Sequence, residues 1–174
     1  MDYFNQHSER LTFRKCSLED IPVWSEFFHD RSRLPWLGLD PEKDPALAAE
    51  DWIRRQLERY EVCGLGHLAA TLKVDGRLIG MGGVIPRTLD GKEQFEVAYS
   101  LIPEFRGNGY ASEIASKMVE FARGELGFSR LISIIHTDNE SSKRVTRNAG
   151  MEFWKRTKYN DIPVHVYASI HGIL

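Results

Sequence analysis

The residues that most directly indicate chemistry lie in a glycine-containing segment near the middle of the chain. Residues 103–111 include Gly107 and Gly109 and join a predicted strand to a predicted helix. Two glycines allow the backbone to turn sharply and to approach a ligand closely. The N–H groups at a helix start lack intrahelical partners, and the helix dipole adds partial positive charge. The segment is therefore suited to a phosphate or pyrophosphate, although an ordinary glycine turn has the same features.

Two common nucleotide-binding fingerprints fit this segment poorly. The dinucleotide fingerprint needs a third glycine where Ser112 stands, and no acidic residue lies near position 130 to bind a ribose. The phosphate loop of NTPases ends in Gly-Lys-Ser/Thr, which is absent here.

A second polar segment, residues 138–142, follows a short apolar strand. Asn139 in this segment can cap the helix that follows, which is the ordinary structural role of asparagine at that position. Its amide could also reach a ligand that lies along the strand ends.

The overall composition narrows the class of protein. The chain has 174 residues, 42% of them hydrophobic, with 23 basic and 25 acidic residues and a formal net charge of −2. This predicts one domain over residues 1–174 with no large nucleic-acid-binding face and no membrane span. The two cysteines are too few for a disulfide framework, and the histidines show no metal-ligand spacing. Because the N-terminus lacks a signal-peptide pattern, we predict a cytoplasmic protein.

Hydrophobic periodicity predicts the elements that position these segments. Asp75-Gly76 and Asp90-Gly91 are hairpin signals, so the three central strands are expected to be antiparallel. The helix after the glycine segment is expected to cross over between parallel strands at 93–102 and 131–135. The sequence thus predicts an α+β fold with a mixed, mostly antiparallel sheet of about six to seven strands flanked by about four helices. The predicted elements are strands at 11–15, 67–75, 78–85, 93–102, 131–135, 151–159 and 163–171, and helices at 18–29, 45–60, 109–125 and 139–149.

In combination, these segments resemble the GNAT superfamily of acetyl-CoA-dependent N-acetyltransferases, and in particular its RimJ/RimL-like branch. The family loop reads Gln/Arg-x-x-Gly-x-Gly/Ala, and residues 106–111 match every defined position. The resemblance covers about residues 9–170 and implies the GNAT-like mixed sheet. Further segments that resemble the branch are residues 8–11, 18–20 and 96–104, Asn139-x-x-Ser142, and residues 148–151.

The resemblance implies that the chain uses acetyl-CoA as a cosubstrate, and the lack of metal-ligand spacing predicts that it uses no metal. The CoA pyrophosphate would rest on the loop amides, and the pantetheine arm would pair with the preceding strand like an added strand. A backbone amide near Leu101 or Ile102 would polarise the acetyl carbonyl. The cofactor-binding residues expected on this basis are Leu101, Ile102, Arg106, Gly107, Asn108, Gly109, Tyr110, Ala111, Asn139 and Ser142.

In the implied reaction an amine attacks the thioester directly. An amine of the lysine type has a pKa of about 10.4, so a group or a water chain must accept its proton. Glu96 is the candidate, because it lies on the strand that leads to the cleft and the related branch often has glutamate there. The alternative is an outward-facing glutamate, since alternation places Glu96 opposite Phe95, Val97 and Tyr99.

The leaving thiolate raises a separate question. Many GNAT enzymes have a tyrosine as general acid four residues after the position of Ser142, but Thr146 stands there in this chain. The branch implies Ser142 as the hydrogen-bonding or acid group instead, and a helix first-turn serine is the structural alternative. His136 and His165 are weaker candidates for proton transfer.

The acceptor side is harder to predict. The resemblance places one wall of the acceptor site around the first two helices and the other at residues 159–164. The acceptor would be a protein N-terminus or a small amine, and Trp36 is the predicted substrate contact. A CoA-binding or sensing module without turnover, or a nucleotide-binding protein unrelated to CoA, are the alternatives. We expect no nucleic-acid or membrane partner and a monomer or homodimer. The residues expected on the first wall are Trp24, Phe28, Arg33, Trp36 and Leu37.

Overall fold

The computed structural model describes residues 2–170, which form helices around one eight-stranded sheet. The strands are β1 (Asn5–His7), β2 (Leu11–Lys15), β3 (Gly66–Leu72), β4 (Leu78–Leu89), β5 (Lys92–Leu101), β6 (Arg130–His136), β7 (Glu152–Tyr159) and β8 (Ile162–Ile170). The α-helices are α1 (Ile21–Trp24), α2 (Pro45–Cys63), α3 (Tyr110–Gly124) and α4 (Glu140–Asn148).

The order of the strands is β1-β2-β3-β4-β5-β6-β8-β7, and only the β5–β6 pair is parallel within residues 2–170. The predicted mixed, mostly antiparallel sheet is therefore confirmed, with α3 as the crossover between β5 and β6. The sheet has one strand more than the upper predicted number. The sequence analysis missed β1, because three residues are too few to establish an alternating pattern.

The turns of the central hairpins follow the predicted sequence signals. Asp90 and Gly91 connect β4 to β5 with φ values of 50° and 72°. A two-residue hairpin turn with positive φ at both positions matches the right-handed twist of its strands, and this explains the Asp-Gly pair. Pro163 lies at the second position of β8, which agrees with the expectation of a strand start.

Helix α2 begins where the sequence predicts and extends slightly further. Asp44 caps it by accepting hydrogen bonds from Ala46 N (3.0 Å) and Leu47 N (3.1 Å), and Pro45 occupies the first turn. The helix ends at Cys63, before Gly64 in a left-handed conformation with φ of 68°.

The single helix predicted over residues 18–29 is wrong. The segment divides into 3₁₀ turns at Leu18–Asp20 and Ser25–His29, with only one α-helical turn, α1, between them. Ser25 Oγ donates to Pro22 O at 2.7 Å, and such local bonds from serine compete with regular helix pairing. A further 3₁₀ segment, Arg31–Leu37, follows in the predicted loop.

Helices cover both faces of the sheet. On one face, Trp52 of α2 stacks on His67 of β3 with ring centroids 5.1 Å apart. On the other face, α3 lies so close to β4 that a Cβ atom at Gly82 would stand 2.2 Å from Ile114 Cγ2. This close packing explains the glycine in β4. Of the helices within residues 2–170, none has the length and apolar character needed to cross a membrane.

Candidate active site

The site lies where the two parallel strands diverge. Within residues 2–170, the register of β5 and β6 pairs only Glu96 with Ile132. One position further along, Ser133 bridges the strands by donating its hydroxyl to Val97 O at 3.0 Å. The C-terminal part of β5 therefore has an edge that β6 does not pair.

The direction of the main-chain groups at the end of β5 follows from one hydrogen bond. Ile102 N donates to Ile79 O at 3.0 Å, on the β4 side of the strand. Because successive residues of a strand direct their main-chain groups to opposite neighbours, the N–H groups of Leu101 and Tyr99 face the opening toward β6. Two amides are predicted to polarise a carbonyl. The Ile102 amide is already hydrogen-bonded within the sheet, whereas the Leu101 amide faces the opening.

The glycine segment starts α3 without a side-chain cap. Gly107 and Gly109 have φ values of 83° and 80°, a conformation that other residues rarely adopt. Gly109 is the N-cap, and since it has no side chain it provides no side-chain acceptor to the first turn, although its carbonyl oxygen accepts from Glu113 N at 3.1 Å. The N–H groups of the first helical turn are therefore available to an external anion.

Arg10 supports this glycine segment from the start of β2. Its Nε donates to Glu113 Oε2 at 2.7 Å, its Nη1 donates to Asn108 O at 3.0 Å, and its guanidinium lies 4.4 Å from the ring centre of Tyr110. Although partial burial alone would raise the pKa of Glu113, hydrogen bonds from Ser8 and Arg10 lower it below its usual value. The Asn108 side chain also bonds within the segment, since its Nδ2 donates to Phe105 O at 3.3 Å and Arg106 O at 3.2 Å. Asn108 and the Tyr110 ring thus belong to the support of the segment.

Arg106 connects the glycine segment to Asp30, which follows the 3₁₀ turn at Ser25–His29. Its Nε donates to Leu101 O at 3.4 Å, and its guanidinium forms an ion pair with Asp30. Hydrogen bonds from Ser32 and Arg106 lower the pKa of the Asp30 carboxyl below its usual range.

Asn139 is the N-cap of α4, as its sequence position predicts. Its Oδ1 accepts from Ser142 N at 3.1 Å and from Ser141 Oγ at 2.9 Å. The cap fixes both Asn139 and Ser142 beside the open edge of β5.

Two cavities meet at this point of divergence. The loop cavity has a volume of about 410 Å³ and extends from the glycine segment along the end of β5. The arginine cavity has a volume of about 360 Å³ and lies between α2 and the β3–β5 surface. We call the residues that border both cavities the junction: Trp36, Leu37, Tyr99, Ser100, Asn139 and Ser142.

The loop cavity contains most of the residues predicted to contact a cofactor. Of those predicted residues, all of which are described, Ile102, Asn108 and Tyr110 do not border it. The predicted residues that border it are Leu101, Arg106, Gly107, Gly109, Ala111, Asn139 and Ser142.

Glu96 lines the arginine cavity and is only 6% exposed. Arg87 Nε donates to Glu96 Oε2 at 2.7 Å. Although burial lowers the pKa of Arg87, the charge and hydrogen bonding of Glu96 raise it overall. The outward-facing alternative for Glu96 does not hold, because the carboxylate is buried and faces the cavity that α2 also lines.

Two residues predicted on the acceptor wall lie in the core instead. Trp24 and Phe28 are 0% and 2% exposed and border neither cavity. Trp24 stacks on Phe27 with ring centroids 4.8 Å apart, so large aromatic side chains at helical spacing here serve packing. Trp36 does reach the junction, where it stacks on His136 at 5.2 Å.

The two histidine candidates differ in position. His136 lines the arginine cavity, and its Nδ1 accepts from Asp138 N at 3.1 Å. His165 borders neither cavity and has Arg156 Nε 3.1 Å from its Nε2. Among residues 2–170, no group of three or more His, Cys, Asp or Glu side chains could hold a metal ion.

Comparison with protein families gives a match over most of the chain. Residues 10–152 match the family model described as an acetyltransferase (GNAT) domain. The chain belongs to the GNAT acetyltransferase family. Acetyl transfer is therefore its general activity, and the comparison leaves the acceptor open.

One curated protein and two solved structures are similar to this GNAT chain, and the two structures share its fold. The uncharacterized N-acetyltransferase YnaD of Bacillus subtilis is 31% identical over 146 residues, which is 83% of this chain and 80% of YnaD. An acetyltransferase structure from Agrobacterium tumefaciens has a TM-score of 0.80 at 24% identity, covering 95% of this chain and 93% of that one. Mycobacterium smegmatis RimJ, solved with CoA-disulfide, has a TM-score of 0.76 at 14% identity, covering 92% and 82%.

One feature of this GNAT site was missed from the sequence. The Tyr99 hydroxyl donates to Ser142 O at 2.8 Å and lies 2.8 Å from Thr146 Oγ1. Burial raises the pKa of Tyr99 to about 12, although hydrogen bonds to Thr146, Ser133 and Ser142 lower it. A protonated phenol thus stands beside Thr146, the position where many family members have their own tyrosine. The alternation of residues in β5 correctly predicts the face on which Tyr99 lies. The sequence of β5 does not show that α4 lies over the opening between the strands, so the contacts of the hydroxyl could not be predicted.

Proposed function

We propose that the chain transfers the acetyl group of acetyl-CoA directly to a primary amine within a ternary complex. The observation that carries this proposal is the junction, where a cavity beside a glycine-capped helix meets a second cavity lined by side chains of α2, β3, β4 and β5. Two ligands, one in each cavity, would have their reactive ends side by side at the residues that border both cavities. Such positioning lowers the barrier to a bimolecular reaction substantially.

In this proposal CoA occupies the loop cavity. The pyrophosphate accepts hydrogen bonds from the free N–H groups at the start of α3. The pantetheine arm pairs with the open edge of β5 at Tyr99 and Leu101, and Asn139 contacts it from the other side. The uncapped Gly109 and the unpaired strand edge support this mode of binding.

The thioester then lies at the junction. The Leu101 amide donates to the acetyl carbonyl, which gains negative charge when the amine attacks. The Tyr99 hydroxyl turns from Ser142 O to the sulfur and provides the proton that the leaving thiolate needs. Ser142 holds the sulfur by a hydrogen bond, since a serine hydroxyl is a weaker acid than a phenol.

Glu96 accepts the amine proton through water. Ser100 at the junction lies four positions along β5 from Glu96, a distance of about 13 Å in an extended strand. A glutamate side chain does not span that distance, so a water chain within the arginine cavity completes the path. The pairing with Arg87 keeps the carboxylate in a fixed position.

The branch of the family is also part of the proposal. The Asn139-x-x-Ser142 element and the fold similarity to RimJ support a RimJ/RimL-like enzyme. Trp36 contacts the acceptor, which is a protein N-terminus or a small amine, because the ring borders both cavities.

The test is release of CoA from acetyl-CoA in the presence of a broad mixture of primary amines and short peptides, followed with a thiol reagent. We expect amine-dependent release together with micromolar CoA binding measured by calorimetry. CoA binding without release for any amine would make the chain a CoA-binding module. Thermal stabilisation by ATP and not by CoA would contradict the cofactor assignment as well.

A further inference from the structure

The arginine cavity carries an excess of positive charge. Arg55 and Arg59 from α2 and Arg87 from β4 line it, whereas Glu96 is the one carboxylate among the described lining residues. Glu96 is already paired with Arg87. The other two guanidinium groups therefore face the cavity without an ion pair of their own among the described residues, although the charge of Glu96 also acts on Arg59 and that of Asp51 on Arg55.

The hydrogen bonds of Arg55 and Arg59 are made to neutral oxygen atoms. Arg59 Nη1 donates to Gln56 Oε1 at 3.1 Å, and Arg55 Nε donates to Asp51 O at 3.3 Å. The Asp51 carboxylate pairs with Lys43 instead. Within residues 2–170, neither arginine forms a salt bridge. Burial, together with the charges of Arg87 and Arg55, lowers the pKa of Arg59, but a guanidinium remains charged near neutral pH.

His67 gives an independent indication of a ligand. It lines the same cavity, is 4% exposed, and neither ring nitrogen has a hydrogen-bond partner among the described residues. Burial and the positive charges of Arg59, Arg87 and Arg55 lower its pKa well below the usual value, so the ring is neutral. A buried polar group without a partner is costly, and a bound ligand would remove that cost.

Gln56 holds these groups together. Its Oε1 accepts from both Arg59 Nη1 and His67 N (3.0 Å), and its Nε2 donates to Trp52 O at 3.2 Å. The same oxygen thus fixes the guanidinium beside the strand that bears the imidazole. The arrangement is built before any ligand enters, which favours binding.

We propose that the acceptor is a small amine that also carries a carboxylate or phosphate group, bound by Arg55 and Arg59 with one hydrogen bond from His67. This inference rests on the proposed function and names the substrate class of the same site. The anion binds the guanidinium groups at one end of the cavity, and the amine lies toward the junction. The volume of about 360 Å³ lies within the range of small-molecule sites.

The experiment compares amines that differ only in the anionic group. The pairs are 5-aminopentanoate with 5-aminopentanamide, and phosphoethanolamine with ethanolamine. We expect kcat/KM to be at least about tenfold higher for the anionic member of one or both pairs, and the better pair distinguishes carboxylate from phosphate. Equal or faster turnover of the neutral members would overturn the inference.

Variants of α2 provide the control. Arg59→Gln is expected to raise KM for the anionic amine about tenfold and to leave KM for its neutral partner unchanged, and Arg59→Lys should restore part of the loss. Arg54→Gln removes the same charge from the same helix at an exposed position that pairs with Glu50, and should change neither KM. An equal effect of Arg59→Gln on both amines would contradict a role in anion recognition.

Direct binding separates this inference from the proposed function. Calorimetry with CoA and each amine of the two pairs needs no turnover. Arg59-dependent binding of an anionic amine without CoA release would contradict the proposed transfer and support the anion site. CoA release with neutral amines, without any preference for anionic ones in binding or turnover, would support the transfer and overturn the anion site.

Discussion

The loop cavity presents main-chain N–H groups of one glycine-capped helix, whereas the arginine cavity presents side chains from α2, β3 and β4. In the first, the recognition groups lie next to one another in the sequence. In the second, Arg59, His67 and Arg87 come from three elements that only the folded sheet brings together. The comparison shows that backbone recognition leaves a local motif, while side-chain recognition across elements does not.

The largest expected effect is on CoA binding in the loop cavity. Gly109→Trp places a bulky residue where φ is 80° and where even a Cβ would lie 3.5 Å from Arg10 Nη2. Lost hydrogen bonds to the pyrophosphate should weaken CoA binding by about 100-fold or more, measured by calorimetry. Gly91→Trp, at a φ of 72° in the β4–β5 turn, controls for backbone strain alone. Unchanged CoA affinity in Gly109→Trp would show that CoA binds elsewhere.

The second effect concerns the junction. Tyr99→Phe removes the hydroxyl that contacts Ser142 O and Thr146 and should lower kcat about 100-fold with little change in CoA affinity. Tyr167→Phe is the control, because Tyr167 is a buried tyrosine whose hydroxyl lies 3.5 Å from Arg147 and which borders neither cavity. A kcat equal to that of the unmodified chain would exclude Tyr99 as the proton donor.

The third effect is on the pH dependence of the reaction and concerns Glu96, the proposed proton acceptor in the arginine cavity. Glu96→Gln should lower kcat/KM about tenfold at neutral pH, and more as the pH falls, because fewer amine molecules are then deprotonated in solution. The measurement is the pH–rate profile from pH 6 to 9. Glu93→Gln on the exposed part of β5 is the control. If the profile keeps its shape in Glu96→Gln, Glu96 does not take part in deprotonation.

The smallest effect is on stability and follows from His67. Its pKa in the fold is lowered, so the unfolded chain binds the proton more readily and stability falls as the pH drops below about 6.5. The expected slope is at most about 1.4 kcal/mol per pH unit. Chemical denaturation between pH 7 and 5 should give a shallower slope for His67→Gln. Partial burial also lowers the pKa of His165, so His165→Gln at this less buried site should reduce the slope, but less than His67→Gln does. Equal slopes in all three proteins would contradict a neutral His67.

The difference between the loop cavity and the arginine cavity also explains which residues of the site could be predicted from the sequence and which could not. Gly107, Gly109 and Asn139 are predicted because each has a local conformational reason to be there: a positive φ or a helix cap. The sheet is predicted because its strands alternate and its turns carry Asp-Gly pairs. The expectation that Trp24 and Phe28 lie on the acceptor wall is wrong, because the resemblance places whole elements beside the site, and only the packing of an element decides which of its side chains face the cavity and which face the core.

The missed residues share a different cause. The hydroxyl of Tyr99 reaches the junction only because α4 crosses the opening between β5 and β6, a tertiary arrangement. Arg55 and Arg59 are four residues apart on α2 and so share one face, a signal that was present in the sequence. Their proposed role in anion binding depends on the nearby His67 and on the absence of an ion-paired carboxylate within the described residues. The spacing of residues along the sequence shows neither of these.

The contact of Arg10 with Glu113 has a consequence for the order in which the molecule forms. The two residues are 103 positions apart, whereas the β4–β5 hairpin closes through only two residues. Contacts between distant segments form more slowly than local ones because a long loop must close first. We therefore expect the central hairpins to be in place before the glycine segment acquires its support, so that the ability to hold a cofactor is among the last properties that the folding chain gains.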